Sequence, residues 1–190
     1  ALIVIDVQNI YTNPDSELYC ADSEQTVGKI NGLIKEFEKK KLPIIYVKHI
    51  HKVDGSDTGR MFDFAGPAED FNFKEGSDEV EFDKNLIVSN NATVIFKNRY
   101  SSFVGTPLEK ILKENKVSTI VICGFMTNFC CESTARDGHD RDYYVDFITD
   151  ATGAPALTTL DEDKIREVVS ELLSGGFAEI FDYKTYISNL

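Results

Sequence analysis

At 190 residues the chain has the length of one ordinary domain, and a composition of 42% hydrophobic, 27% charged and 11% aromatic residues supplies apolar mass for a packed core and excludes disorder. A formal net charge of −12 and a pI of about 4.7 argue against a phosphate-backbone partner, so no nucleic acid is expected. No apolar run approaches the roughly 18 residues of a membrane span and no signal-peptide pattern is visible, so the expectation is a cytoplasmic protein without a membrane partner.

The chain opens directly on strand-like residues without a Met, which leaves room for a few residues upstream. Residues 1–5 form a short, fully apolar, β-branched run, the pattern of a buried parallel strand. Over residues 24–41, Val27, Ile30, Leu33, Ile34 and Phe37 fall on one helical stripe, and Pro43 stops it. The basic cluster Lys39-Lys40-Lys41 then reads as lysines at the negative end of a helix dipole rather than as an anion site. Strands are predicted at 44–47, 93–96, 118–123, 143–148 and 178–181. Helices are predicted at 108–114, entered through Thr106-Pro107, at 128–138, and at 161–173, ending at Gly175-Gly176.

Buried strands alternating with helices predict a three-layer α/β/α domain over residues 1–190, with a central, mostly parallel sheet of about six strands. In such sheets ligands sit at the carboxyl ends of the strands. Strand order stays open. The connection 50–91 is irregular, as in Arg60-Met61-Phe62-Asp63-Phe64-Ala65-Gly66-Pro67. It reads either as a pocket wall or lid, or as a solvated insertion.

Three residues at strand ends carry chemistry. Asp6 ends the first strand, where a charge is costly unless paired, although a solvated carboxylate just past a strand is common. No second Asp follows two residues on, since Gln8 stands there, and no GxGxxG follows. Lys97 ends the third strand; alone, it would snorkel to water. Cys130 follows a strand, a glycine and a turn and falls in the first turn of a predicted helix, whose positive end favours a thiolate. The commoner fate of a cysteine is structural burial, and Cys123 and Cys131 fit it. None of the four cysteines, Cys20 included, has the spacing of a disulfide framework, which suits a reducing compartment.

Three blocks resemble the isochorismatase-like cysteine hydrolases, a family that includes nicotinamidases, carbamoylsarcosine and ureidoacrylate amidases, and isochorismatases. They are Leu2-Ile3-Val4-Ile5-Asp6-Val7-Gln8-Asn9, then Val94-Ile95-Phe96-Lys97-Asn98-Arg99-Tyr100-Ser101-Ser102-Phe103 with Gly105-Thr106-Pro107-Leu108, then Gly124 to Cys130 with Glu132-Ser133-Thr134-Ala135-Arg136-Asp137. The resemblance implies a triad of Asp6, Lys97 and Cys130, with Cys130 rather than Cys131 as the nucleophile. It implies a cis peptide between Phe125 and Met126, and an oxyanion hole made by the backbone N–H groups of Met126 and Cys130. The implied reaction is hydrolysis of a C–N bond in a small amide or ureido compound through a thioester. The alternatives within the family are vinyl-ether cleavage of the isochorismatase type and nicotinamide hydrolysis.

The family's nicotinamidases bind a metal through an Asp-x-His after the second strand. Here that place reads His49-Ile50-His51; the aspartate is missing, and His139 lies on a distant helix. No metal and no cofactor are therefore expected. Gln8, His49, His51, Tyr100 and Phe103 are candidate pocket residues. The expected partners are a small-molecule substrate and, by the resemblance, further copies of the chain.

Overall fold

A computed structural model describes residues 1–63, 71–89 and 92–190. The Phe64-Ala65-Gly66-Pro67 stretch of the long connection lies outside them. Six parallel strands form one sheet: β1 (Leu2–Ile5), β2 (Ile44–His49), β3 (Thr93–Lys97), β4 (Thr119–Phe125), β5 (Tyr144–Gly153) and β6 (Glu179–Phe181), in the order β3-β2-β1-β4-β5-β6. β1 has a strand hydrogen-bonded on either side and lies wholly within the core. This accounts for its uninterrupted apolar run, all four residues of which are buried.

The helices are α1 (Asn9–Thr12), α2 (Ser23–Lys39), α3 (Leu108–Glu114), α4 (Glu132–His139), α5 (Glu162–Ser174) and α6 (Tyr183–Asn189). The stripe predicted on α2 is the face it buries: Val27, Ile30, Leu33, Ile34 and Phe37 all enter the core. α2 and α6 touch each other and β5, while α4 and α5 touch each other; right-handed crossovers place such helices on both faces of the sheet. The Thr106 hydroxyl accepts from the Leu108 N–H at 3.2 Å and so caps the entry to α3. No helix among the described residues is long and apolar enough to cross a membrane.

Two elements depart from the sequence reading. The helix expected from residue 128 begins instead as a π-helical turn, Thr127–Cys131, in which the Cys131 N–H reaches back five residues to the Met126 carbonyl at 3.1 Å; α4 follows it. β5 runs on to Gly153 rather than ending at residue 148. Past a register shift, Thr152 and Gly153 pair with Gly124 and Phe125, a continuation hidden by its small and polar residues. α1 and α6 add two helices too short to show a period in the sequence.

The order places a topological switch point between β1 and β4: from β1 the chain proceeds outward through β2 to β3, and from β4 outward through β5 to β6. The two central strands lie very close where β4 ends. Gly124 has φ +123°, and a Cβ there would overlap the Ile5 carbonyl. Glycine is required twice over, by conformation and by space. Gly124→Ala is expected to cost about 3 kcal/mol or more of stability, from an unsuitable dihedral plus overpacking; urea unfolding with an unchanged midpoint would show that β1 and β4 can part at no cost.

Candidate active site

Asp6 is the first residue beyond β1 and has φ +50°, the left-handed region that Asp tolerates better than most residues. The turn there carries its carboxylate over the carboxyl edge of the sheet. Lys97 is the last residue of β3, opposite His49 of β2 in the ladder. β3 lies two strands from β1, about 10 Å at the usual strand spacing. The four-carbon arm of Lys97 crosses the end of β2 to close that gap. Its ammonium stands 2.7 Å from Asp6 Oδ2 and 3.2 Å from Cys130 Sγ. It also donates to the Arg99 carbonyl at 3.1 Å. Cys130 comes from the far side, in the π-helical turn after β4. The three candidates from three strand ends therefore meet around one ammonium, with both side chains of the ion pair fully buried and Cys130 only 2% exposed.

Burial raises the Asp6 pKa, opposed by the Lys97 charge and by contact with the Cys130 thiol. For Lys97, burial is outweighed by Asp6 and Cys130, and its pKa rises. The resting pair is thus an ion pair whose carboxylate is a stronger base than a free aspartate. Asp6 Oδ1 has no hydrogen-bond partner among the described residues, so it can take a proton. The thiol differs from the expectation of a thiolate: burial outweighs the Lys97 charge and pushes Cys130 up to about 12. The cluster thus holds a thiol beside a base. Cys131 is fully buried, with its pKa well above the usual value because of burial, and all four cysteines are free.

The pocket candidates separate. Gln8 is fully buried, and its amide is consumed by backbone. Oε1 accepts from the His49 N–H at 2.8 Å, and Nε2 donates to the carbonyls of His49 at 3.1 Å and Val80 at 2.8 Å. It clamps β1 to the end of β2 rather than offering polar atoms to a ligand. Phe103 also leaves the pocket set: it stacks on Tyr143 at 6.0 Å and lies under Arg141, against α4. Tyr100 stays close to the cluster; its pKa is raised by burial and then by Cys130, and its ring meets Phe129 at 5.2 Å.

His49 and His51 are buried side by side, their Nε2 atoms 3.0 Å apart. His51 Nδ1 meets Asp57 Oδ1 at 3.3 Å, and His49 stacks on Phe73 at 4.3 Å. Asp57 and Phe73 carry no signal in the sequence. Both lie in the irregular connection, where no periodicity marks a residue that folds back. The described parts of that connection are pinned to the strand ends: His51 exchanges backbone hydrogen bonds with Phe73 and Glu75, and Asn9 and Val7 with Glu81 and Asp83. An open pocket of ≈ 310 Å³ adjoins the cluster, lined by Ile50, His51, Lys52, Asp57, Glu75, Phe96, Lys97, Asn98 and Gly105. It shares Lys97 with the cluster but is lined by neither Asp6 nor Cys130, so the convergent side chains and not the cavity mark the candidate site.

Among the described residues one group of three possible metal ligands converges, Asp6, His49 and Cys130, with ligand atoms within 4.8 Å of one another. Lys97 already supplies the cation there, against both Asp6 and Cys130, and a metal ion would be set beside an ammonium. Among the described residues the two histidines gather no third ligand on a common point, since Asp57 is engaged at the opposite nitrogen of His51. The donor set does not fit a metal.

The Isochorismatase domain model matches residues 1–175. The uncharacterised isochorismatase-family protein YddQ of Bacillus subtilis is 30% identical over 87% of this chain and 82% of its own length. Nicotinamidase 3 of Arabidopsis thaliana is 27% identical over 96% of this chain and 84% of its own. The crystal structure of a cysteine hydrolase from Pseudomonas syringae pv. phaseolicola superposes with a TM-score of 0.89 at 30% identity, covering 99% of this chain and 90% of that one. The chain belongs to the isochorismatase family and is a hydrolase of that family.

Two outcomes follow from the buried pair. Lys97→Ala leaves a carboxylate uncompensated and is expected to cost about 3–5 kcal/mol. Without the ammonium, burial of Asp6 is opposed only by the Cys130 contact, so its folded pKa exceeds the unfolded one and the folded variant holds the extra proton. The deficit relative to wild type is therefore largest at neutral pH and shrinks as pH falls toward about 4; a deficit independent of pH in urea titrations would mean that Asp6 is not charged in the fold. Purified protein should carry no stoichiometric zinc or iron by elemental analysis.

Proposed function

We propose that the protein hydrolyses a C–N bond of a small amide or ureido compound through a thioester on Cys130. The observation that carries this reading is the position of the Lys97 ammonium, 2.7 Å from Asp6 Oδ2 and 3.2 Å from Cys130 Sγ in a buried setting. A base, a cation and a thiol in mutual contact are the parts that thiol-based acyl transfer requires.

The steps follow from the charges. Asp6 takes the thiol proton as Sγ attacks the carbonyl carbon, and the nascent thiolate is held by Lys97. Coupling proton loss to attack removes the need for a resting thiolate, which burial disfavours. The tetrahedral oxyanion is received by the N–H groups of Met126 and Cys130. The Phe125–Met126 peptide is cis, and the Met126 N–H donates to no other group among the described residues, which leaves it for this use. Asp6 passes its proton to the departing nitrogen, and ammonia or an amine leaves. Water then attacks the thioester, Asp6 accepts the water proton, and collapse releases the acid while the proton returns to sulfur. A nitrogen leaving group is in keeping with the Arabidopsis relative, a nicotinamidase, and a cysteine nucleophile with the Pseudomonas relative, a cysteine hydrolase.

Screening small primary amides and N-carbamoyl compounds for ammonia release tests the reading. Cys130→Ala should abolish release while leaving the fold intact. Asp6→Asn should do the same, since one carboxylate serves as base and acid. Cys131→Val should keep most of the activity, being near in volume and remote in role. With a slow substrate, mass spectrometry should find one acyl adduct, on Cys130. An adduct on Cys131, or full turnover in Cys130→Ala, would overturn the assignment of Cys130 as nucleophile, and full turnover in Cys130→Ala would favour the thiol-independent vinyl-ether class.

A further inference from the structure

The buried histidine pair has no part in the steps above, and one of its nitrogens is unaccounted for. His49 Nδ1 is buried and has no hydrogen-bond partner among the described residues. An orphaned buried polar atom is costly, and its persistence points to a ligand.

Its chemical state follows from the chain of contacts outside it. Asp57 Oδ1 accepts from the Lys52 N–H at 3.0 Å, and Oδ2 accepts from Asn98 Nδ2 at 3.2 Å. Burial works against the Asp57 charge, but these hydrogen bonds win and keep its pKa below the usual carboxylate value, so it can only accept. His51 Nδ1 must then carry the proton that points to Asp57, at 3.3 Å. Burial holds His51 below the ordinary imidazole range despite Asp57, and holds His49 further below it with the Lys97 charge adding to the effect; both rings are neutral. A neutral His51 protonated at Nδ1 has a lone pair at Nε2. The 3.0 Å contact between the two Nε2 atoms is therefore a hydrogen bond donated by His49. That leaves His49 Nδ1 with a lone pair that meets no donor among the described residues.

The ring is fixed as firmly as its tautomer. Gln8 holds both backbone groups of His49, and Phe73 stacks on the imidazole at an interplanar angle of 11°. A His49 ring nitrogen, an Asp6 oxygen and Cys130 Sγ lie within 4.8 Å of one another, so this imidazole borders the thiol.

We propose that Asp57 and His51 are positioning residues that hold His49 in the Nε2–H tautomer, and that His49 Nδ1 accepts a hydrogen bond from an N–H of the substrate. This rests on Cys130 being the attacking group. It narrows the substrate to a ureido (N-carbamoyl) compound, whose carbonyl at Cys130 carries a second N–H on the side away from the leaving nitrogen. A simple carboxamide has carbon at that position and offers no N–H there.

The tautomer is read without any substrate. The chain has three histidines, so nitrogen-15 correlation spectra of the labelled full-length protein can be assigned completely. His49 should show a protonated Nε2 and a pyridine-like Nδ1, and Asp57→Ala, a change at a partly exposed residue, should let the tautomers mix. A protonated His49 Nδ1 in the wild type, or spectra unchanged in Asp57→Ala, would overturn the relay. The substrate half is read from binding of N-carbamoylglycine and its N-methyl analogue to Cys130→Ala, which cannot turn them over. The N–H member should bind about tenfold more tightly, the usual effect of one unpaired buried acceptor. The preference should vanish in a His49→Phe, Cys130→Ala double variant and weaken with Asp57→Ala. Equal affinities, or no binding of either compound, would overturn the ureido assignment. Ammonia release from plain carboxamides by the wild-type protein would still stand as a separate result for the hydrolase reading.

Discussion

Everything at the carboxyl edge of this sheet is organised by one buried ion pair, Lys97 with Asp6. Neither charge could be held alone in that setting, because burial acts against both. Each partner makes the other tenable, and the thiol of Cys130 completes the ring of contacts on the ammonium. The pair also explains why Lys97 is a lysine: its strand is not adjacent to that of Asp6, and only a long arm crosses the end of β2. The same crossing lies beside His49, the residue opposite Lys97 in the ladder, which has a ring nitrogen within 4.8 Å of an Asp6 oxygen and of Cys130 Sγ.

The backbone around this pair meets constraints that local preference alone would not choose. Asp6 takes a left-handed conformation, Gly124 adopts φ +123° against the Ile5 carbonyl, and the chain continues through a π-helical turn rather than a regular helix. These features sit at the ends of the two central strands, at the switch point where the sheet opens a crevice. Neighbouring regular elements hold them in place: β1 and β4 are buried throughout nearly their whole length, and α2 packs on both.

The long connection after β2 is part of the site's support. Its described residues return to pair with His51, to bridge Gln8 with Phe82, and to lay Phe73 on His49. The result is a polar chain from Asp57 through two neutral histidines to the edge of the Asp6, Lys97 and Cys130 cluster, enclosed by aromatic rings from Phe62, Phe71 and Phe73. In the His49-Ile50-His51 stretch the two imidazoles are hydrogen-bonded to each other.

The sequence by itself determined the α/β class, the strands and the main helices, since each has a burial pattern that repeats along the chain: the apolar run of β1 and the stripe on α2 are visible without neighbours. It also marked Asp6, Lys97 and Cys130, because a charge or a thiol at the end of an apolar strand stands out and the three surrounding blocks are specific. What it left open is what depends on contact across the fold. The order of strands, the arm of Lys97 passing over β2, the capture of Gln8 by the backbone of His49 and Val80, and the burial of Phe103 against Tyr143 are decided between segments far apart in the chain. The thiol's protonation is of the same kind: a helix end and a lysine, read locally, favour a thiolate, whereas the enclosure that prevents it is a property of the whole packed edge. Asp57 and Phe73 come from an aperiodic loop, where position is set by where the chain folds back and by no local pattern.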